Sequence, residues 1–180
     1  IEDIDPQRSR PEFVDAIYED LAWIGLRWKM PVRRQSMHLR DYIAALAVLS
    51  DADVVYPCFC TRKDIAEEIA RAGIAPQGPD GPIYPGICSN LSTAERGALI
   101  KAGLSYALRL DIDKAFDRVG PLDFMDYDLG RVDVDPKSIG DIVLARKDVS
   151  TSYHLSVSVD DALQGITNVT RGEDLLPATH

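Results

Sequence analysis

The 180-residue chain combines 46% apolar residues with a formal net charge of −9 at neutral pH. This apolar content is enough to bury one sizeable core, so we expect a globular protein. The negative charge argues against a generally basic nucleic-acid surface, because phosphate neutralisation draws on clustered Lys and Arg. The sequence has no signal-peptide pattern and no apolar run of about 18 residues, so we expect a cytoplasmic protein that does not enter the membrane.

Residues 1–52 are predicted to form an opening strand, IEDID, followed by two amphipathic helices. The first helix spans residues 9–25, with Ser9 placed to cap it and Pro11 tolerated in its first turn. The second spans Asp41 to Leu49. Each helix has one apolar face, made by Phe13, Ile17, Leu21 and Ile24 in the first and by Tyr42, Ile43, Leu46 and Leu49 in the second.

The character of the sequence changes after residue 52. YPCFCTR leads into a short helix that Thr61 is placed to cap and that Gly73 closes. Residues 76–86 form a Pro/Gly-rich loop with too little apolar surface to fold by burial alone. Something other than burial must therefore hold this loop.

A helix and a strand are predicted next. Ser92 and Glu95 have the spacing of a capping box, and Gly103 ends the helix that they begin. SYALRLDI then alternates apolar and polar residues, which is typical of a half-buried strand. This second segment is expected to close near Lys137.

The remaining residues are interpreted as strands separated by one short helix. The predicted strands are 141–145, 153–159 and 166–170, and Tyr153, Leu155, Val157 and Val159 supply the alternation in the second. Arg171 and Gly172 form a turn after the last of them. Strands interleaved with helices predict an α/β fold with an inserted module between its halves.

Three cysteines give the clearest chemical signal. Cys58 and Cys60 are separated by one residue, and Cys88 can return a third thiolate across the loop, a set that suits zinc. The fourth ligand is open, because the three histidines lie far away in sequence and Tyr84, four residues before Cys88, has a side chain that is rarely a ligand. The cysteines could instead be small buried hydrophobic residues beside a packed tyrosine. We favour zinc, in a structural role, because the loop otherwise lacks a stabiliser.

Longer motifs resemble a known family. IEDIDPQRSR is similar to the RIEDTDxxR segment of glutamyl-tRNA synthetases, and DDALQGITNVTRGEDLL is similar to their VDDxxxGITHVIRGxDxL segment. Between them, YPCFCTR and YPGIC resemble the Cys-x-Cys and Tyr-x-x-x-Cys ligands of the branch that glutamylates queuosine in tRNA(Asp). The chain thus resembles the class I glutamyl-tRNA synthetase family over essentially its whole length.

The resemblance implies a domain organisation and a set of ligands. It implies a Rossmann-like class I catalytic domain made by residues 1–52 and 139–180, with residues 53–138 inserted as a zinc-containing α+β module. One structural zinc ion would be held by Cys58, Cys60, Tyr84 and Cys88.

The resemblance also implies a glutamate pocket. Glu2 would hold the α-amino group of glutamate, and Tyr153 and Arg171 would match its side chain, since a planar guanidinium can grip both oxygens of a carboxylate. Asp174 would help to position ATP. Without the resemblance, Glu2 would be interpreted as a solvated strand end, Tyr153 as a half-buried strand aromatic and Arg171 as a surface cation.

The expected activity of the whole protein is ATP-dependent activation of glutamate, with Mg²⁺ accompanying ATP, and transfer of the glutamyl group to the queuosine base of tRNA(Asp). A monomer is expected. The HIGH-type and KMSKS-type signatures that act on the ATP phosphates fall outside the sequence, so we assign no catalytic residue and expect no adenylate formation by this stretch alone.

Two alternatives remain. The first is part of an ordinary glutamyl-tRNA synthetase that charges tRNA(Glu); against it stand the YPGIC and ALQG segments and Val157, where such enzymes often have asparagine. The second is a zinc-stabilised interaction module without catalysis.

Overall fold

The structure is a computed structural model that describes residues 1–6, 8–72, 77–78, 81–146 and 151–180. The helices are α1 (Pro11–Trp23), α2 (Leu39–Asp51), α3 (Arg62–Ala72), α4 (Thr93–Lys101), α5 (Ile112–Val119) and α6 (Tyr153–Gln164). The strands are β1 (Val55–Cys58), β2 (Gln77–Gly78), β3 (Gly81–Pro82), β4 (Ala107–Leu110), β5 (Asp123–Asp126), β6 (Gly130–Asp133) and β7 (Val143–Arg146). Short 3₁₀ turns cover Gln35–Met37, Pro136–Ser138 and Glu173–Thr179. Within the described ranges, no helix combines the length and apolar content that crossing a membrane requires.

A three-stranded antiparallel sheet lies at the centre of the fold, in the order β1-β4-β7. Val55 pairs with Leu110 at one end of the β1–β4 ladder, and Ala107 pairs with Arg146 in the β4–β7 ladder. The strands β2 and β3 form one two-stranded hairpin and β5 and β6 form another. The central sheet therefore joins β7 to strands from the predicted insertion.

The main core lies between this sheet and two helices. Tyr42 of α2, Leu144 of β7 and Leu155 of α6 are buried together, and partly buried neighbours surround them: Ala45, Leu46, Leu49, Val55, Leu110, Ile142 and Val159. A second buried cluster surrounds Tyr56, Cys58 and Cys88. Cys58 and Cys88 thus lie at the end of β1.

The first two helices are present; the buried face of α1 differs from the predicted one, whereas Tyr42, Leu46 and Leu49 of the predicted face of α2 pack in the core. Helix α1 carries Pro11 in its first turn, but Arg10 occupies the N-cap position without a side-chain cap, so the prediction of a Ser9 cap is wrong. Phe13 and Ile17 are 51% and 44% exposed, and the buried residue of α1 is Val14. Helix α2 buries Tyr42 as predicted and leaves Ile43 exposed.

The predicted helix starts in the middle of the chain are confirmed. The Thr61 hydroxyl accepts from the backbone N–H of Asp64 at 3.2 Å, and Ser92 and Glu95 form a reciprocal capping box. Gly103 follows α4 with φ +79°, the left-handed conformation that glycine adopts without strain. Gly73 lies outside the described residues. Residues 76–86 are not loop throughout, since β2 and β3 pair there.

The predicted strand at residues 153–159 is wrong, because these residues form helix α6. The Ser152 hydroxyl accepts from the backbone N–H of Leu155 at 3.4 Å, and Gly165 ends the helix in the left-handed conformation. Leu155, Ser156 and Asp160 face inward with helical spacing, so the alternation of apolar residues was incidental. The predicted strands at 1–5 and 166–170 are also absent from the described fold.

Candidate functional site

The three cysteines converge although they come from different segments. Cys58 ends β1, Cys60 follows two residues later, and Cys88 lies in the turn after β3. Their sulphur atoms all lie within 4.8 Å of one another, and the Cys60 and Cys88 sulphurs are 3.4 Å apart. Two sulphurs bound to one tetrahedral zinc at about 2.3 Å lie roughly 3.8 Å apart. The spacing of the thiols therefore fits a single metal ion.

The Tyr84 hydroxyl lies in the same cluster. Its oxygen is 3.3 Å from the Cys58 sulphur and 3.5 Å from the Cys60 sulphur, and it accepts from the backbone N–H of Cys88 at 2.8 Å. A zinc-bound oxygen at about 2.0 Å would lie roughly 3.5 Å from a zinc-bound sulphur. The Arg109 guanidinium stands over the Tyr84 ring, 3.9 Å from its centroid. The distances from the hydroxyl oxygen to the two sulphurs thus match those expected for a fourth ligand.

The pKa values of the groups in this cluster are perturbed. Burial raises the pKa of Tyr84, and its contacts with the thiols of Cys58 and Cys60 raise it further. Burial and the neighbouring Cys88 raise the pKa of Cys60 to about 12. At Cys58 burial acts in the same direction, but the interactions with Tyr84 and Arg109 outweigh it and lower the pKa. A bound cation would favour the deprotonated form of each group.

Buried polar contacts fix the cluster to the sheet. The Tyr56 hydroxyl donates to the Asp141 carboxylate, which also accepts from the backbone N–H of Ile112 at 3.0 Å. The Arg109 guanidinium donates to the Asp141 carbonyl at 2.5 Å, and Arg96 donates to the Cys88 carbonyl at 3.3 Å. These contacts therefore hold the cluster in a fixed position against the sheet.

Tyr153 and Arg171, the predicted side-chain pair of the glutamate pocket, are in contact. Arg171 Nη1 donates to the Tyr153 hydroxyl at 3.1 Å, and Arg171 also donates to the Thr179 hydroxyl. Tyr153 is the first residue of α6 rather than part of a strand. Arg171 lines a cavity of about 630 Å³ between the β5–β6 hairpin and residues 167–179. A cavity of this size accommodates a small molecule.

Glu2 and Asp174 lie in different surroundings. Glu2 is exposed, in a segment that pairs with residues 33–36, and among the described contacts it has no hydrogen bond to Tyr153 or Arg171. Asp174 is also exposed, and its carboxylate lies directly against Gly172, where a Cβ would collide with it. The structure thus brings together two of the four predicted substrate residues.

A partly buried network of ion pairs that joins Arg33 to Asp41 and Asp160 was not predicted. Arg33 Nε lies 2.7 Å from Asp160 Oδ1, and Arg33 Nη2 lies 2.5 Å from Asp41 Oδ2. The Tyr42 hydroxyl donates to both Asp160 oxygens, at 2.9 and 3.0 Å. Once 153–164 is known to be helical, the spacing of Tyr153 and Asp160 places them on one face, which the strand interpretation concealed.

Comparisons with known sequences and structures identify the family of the chain. The family model described as "tRNA synthetases class I (E and Q), catalytic domain" matches residues 1–180. The chain belongs to this family. Its fold is accordingly that of a class I glutamyl-tRNA synthetase, with mixed helix and strand content, and the family resemblance seen in the sequence is confirmed.

Relatives of two kinds are similar to the chain. It is 44% identical to a "Glutamyl-Q tRNA(Asp) synthetase" of Rhodobacter capsulatus and 40% identical to one of Nocardia farcinica, covering 99% of this chain and 65% and 53% of those proteins. It is 36% identical to a "Glutamate--tRNA ligase" of Aquifex aeolicus, covering 99% of this chain and 36% of that protein. A solved glutamate tRNA ligase from Elizabethkingia meningosepticum, in complex with its amino acid, has a TM-score of 0.74 at 26% identity, covering 99% of this chain and 37% of that one. The chain thus spans about two thirds or less of the length of these synthetases.

Proposed function

We propose that the protein activates glutamate with ATP and transfers the glutamyl group to the queuosine base of tRNA(Asp). The observation that carries the proposal is that Arg171, whose guanidinium donates to the Tyr153 hydroxyl, lines the cavity of about 630 Å³. A guanidinium held by a tyrosine hydroxyl can match a side-chain carboxylate through two parallel hydrogen bonds. The transfer to queuosine rather than to tRNA(Glu) is supported by the higher identity to the proteins named glutamyl-Q tRNA(Asp) synthetase.

The reaction proceeds in two steps. The α-carboxylate of glutamate attacks the α-phosphate of ATP, which releases pyrophosphate and leaves glutamyl-adenylate. A nucleophile on the tRNA then attacks the activated carbonyl and AMP departs. Both steps depend mainly on positioning and on stabilisation of charge.

The residues of this chain contribute binding and orientation. Arg171 and Tyr153 hold the side-chain carboxylate of glutamate, and Glu2 pairs with its α-ammonium. Asp174 helps to position ATP, which arrives with Mg²⁺. The proposed catalytic domain is Rossmann-like and is formed by residues 1–52 and 139–180, in a cytoplasmic monomer.

One structural zinc ion is the proposed stabiliser of the inserted module, residues 53–138. Cys58, Cys60 and Cys88 would supply thiolates and Tyr84 a phenolate. The proposal is supported by the sulphur spacing and by the two sulphur-to-oxygen distances at Tyr84. A zinc ion there would cross-link β1 to the turn after β3 without taking part in the reaction.

The decisive experiment compares acceptors for the full-length protein. Labelled glutamate is offered with queuosine-modified tRNA(Asp), unmodified tRNA(Asp) and tRNA(Glu). We expect label in the anticodon loop of the modified tRNA(Asp) and in neither of the others. Label at the 3′ end of tRNA(Glu) would instead identify an ordinary glutamyl-tRNA synthetase, the alternative supported by the 36% identity to the Aquifex aeolicus ligase.

A variant pair tests the glutamate pocket. Arg171→Gln removes the guanidinium, and we expect the KM for glutamate in ATP–pyrophosphate exchange to rise about a hundredfold or more, since a hydrogen-bonded ionic partner is lost. Arg71→Gln is the matched control, because Arg71 is exposed at the end of α3 and its described ion pair is with Glu68 in its own helix. Equal KM values for the two variants would contradict the assignment.

A wild-type protein with full zinc content and no glutamate binding would be a non-catalytic module.

A further inference from the structure

The two proposed contacts of glutamate lie on separate pieces of backbone. Tyr153 begins α6, whereas Glu2 belongs to the extended segment at residues 1–3. A pocket that grips both ends of one small molecule must hold these pieces at a constant separation. The described contacts show what connects them.

The segment that carries Glu2 is tied to residues 33–36 on both sides of Glu2. On one side, the Ile1 carbonyl accepts from the backbone N–H of Gln35 at 3.0 Å. On the other side, the buried Asp3 carboxylate accepts from the backbone N–H and the hydroxyl of Ser36, both at 2.8 Å. The position of Glu2 therefore follows that of residues 33–36.

In the part of the chain that the structure describes, the Arg33 side chain ties residues 33–36 to α6. The Arg33 guanidinium uses Nε for Asp160 and Nη2 for Asp41 of α2. Asp160 is only 7% exposed, and its two oxygens also accept from the fully buried Tyr42 hydroxyl. A carboxylate this deeply buried is held in one place, because leaving it unpaired would be very costly.

Asp160 lies on the same face of α6 as Tyr153. The two are seven residues apart, which is two helical turns and roughly 10 Å along the axis. Arg33 and Asp160 thus complete a continuous path from Glu2 through residues 33–36 to the helix that begins at Tyr153.

We propose that Asp160 and Arg33 are positioning residues that hold the α-amino contact and the side-chain contacts of glutamate at the separation that lets both engage one molecule. This inference rests on the proposed function. Neither residue touches the substrate in this role. By holding the two contacts at the right separation, they let both form at once on one glutamate molecule. Two simultaneous contacts give a higher affinity than either contact alone.

The test uses Asp160→Asn in the full-length protein, with glutarate as the second probe. Glutarate has both carboxylates of glutamate and lacks the α-amino group, so it needs only the side-chain contacts. In ATP–pyrophosphate exchange, we expect the KM for glutamate to rise at least about tenfold, while the Ki of glutarate as a competitor changes less than about twofold. The KM for ATP should stay the same.

A milder variant and a matched control accompany it. Tyr42→Phe removes only the hydroxyl that donates to Asp160, and it serves as the test if Asp160→Asn does not fold. In this variant the ratio of the KM for glutamate to the Ki of glutarate should also rise, by a smaller factor. Asp53→Asn removes an exposed carboxylate that pairs with Lys114 at 2.9 Å, and it should leave the ratio unchanged.

The possible outcomes distinguish failure of this inference from failure of the proposed function. A parallel rise in both constants for Asp160→Asn, or no change in either, would show a purely structural ion pair and overturn the inference while leaving the proposed function intact. Wild-type protein without any exchange would remove the proposed function and the inference together. A rise confined to glutamate establishes the positioning role.

Discussion

Replacing Tyr84 by Phe tests whether its hydroxyl is a fourth metal ligand. The change deletes one oxygen, which lies 3.3 and 3.5 Å from the sulphurs of Cys58 and Cys60. The aromatic ring remains, and it can keep its contact with the Arg109 guanidinium at 3.9 Å. The effect of the substitution on zinc affinity should therefore come from the lost oxygen rather than from lost packing.

The expected loss follows from the coordination. Structural zinc sites in small peptides bind with about 10–16 kcal/mol, so an equal share among four ligands is about 3 kcal/mol. Because each 1.4 kcal/mol is a factor of ten in Kd, Tyr84→Phe should weaken zinc binding about a hundredfold. If water takes the vacated position, the loss of zinc affinity should be smaller, with a lower limit of about tenfold.

Competition with a chromophoric zinc chelator measures Kd for the full-length protein and the variant. Adding zinc to the metal-free wild type should also produce the red-shifted near-ultraviolet absorption of a phenolate, because the metal must displace the proton from the hydroxyl. That signal should be absent in Tyr84→Phe.

Tyr106→Phe is the control, since the Tyr106 ring packs edge-on against Phe59 at 5.7 Å between centroids without belonging to the thiol cluster. It should retain wild-type affinity and the phenolate signal. A Tyr84→Phe variant that binds zinc as tightly as Tyr106→Phe would refute the assignment of Tyr84, whatever the cysteines do.

Three further outcomes are expected. Cys88→Ser should lower bound zinc in the full-length protein well below one equivalent and expose residues 76–86 to protease, as measured by metal analysis and limited proteolysis; full zinc content would exclude Cys88 as a ligand. Tyr42→Phe should destabilise the fold by about 1.5–3 kcal/mol in urea unfolding, because its hydroxyl donates to the charged Asp160; an unchanged midpoint would contradict this. Burial acts to raise the pKa of Asp3, but hydrogen bonds outweigh it and lower the pKa, so its contribution is present above the unfolded value of about 3.9 and is lost as the pH falls through the folded value. Asp3→Asn should therefore make the acid side of a stability profile shallower, and an identical slope would speak against this role.

Local signals in the sequence correctly predicted the starts of α3 and α4. Ser92 with Glu95, and Thr61 before α3, cap their helices through hydrogen bonds to residues three positions away, so the necessary information lies within one turn of chain. The gathering of Cys58, Cys60 and Cys88 was also predictable, since thiol spacing and the need to stabilise the loop point the same way.

Predictions that depended on packing against distant segments were wrong. The alternation from Tyr153 to Val159 favoured a strand, but the cap at Ser152 and the stop at Gly165 define a helix whose buried face packs on α2 and the sheet. The apolar residues Phe13 and Ile17 predicted a buried face of α1 that is in fact exposed. In both cases the partner surface, rather than the periodicity, decides the outcome.

The network at Asp160 could not be predicted for the same reason. Its partner Arg33 is 127 residues away in the chain, next to another arginine, and nothing local distinguishes the two. Arg34 pairs with Asp3, on a different segment from that of Asp160. Only the tertiary arrangement assigns each guanidinium to its carboxylate.

The position of β4 in the middle of the sheet has a consequence for chimeric enzymes. Because β4 is paired on one side with β1 and on the other with β7, cutting the chain after residue 138 would strip β7 away and leave a bare row of backbone N–H and C=O groups along β4. An exposed edge of this kind invites aggregation. A segment that contains the three cysteines and is exchanged between related synthetases should therefore carry its own β7, with the downstream junction placed beyond Arg146.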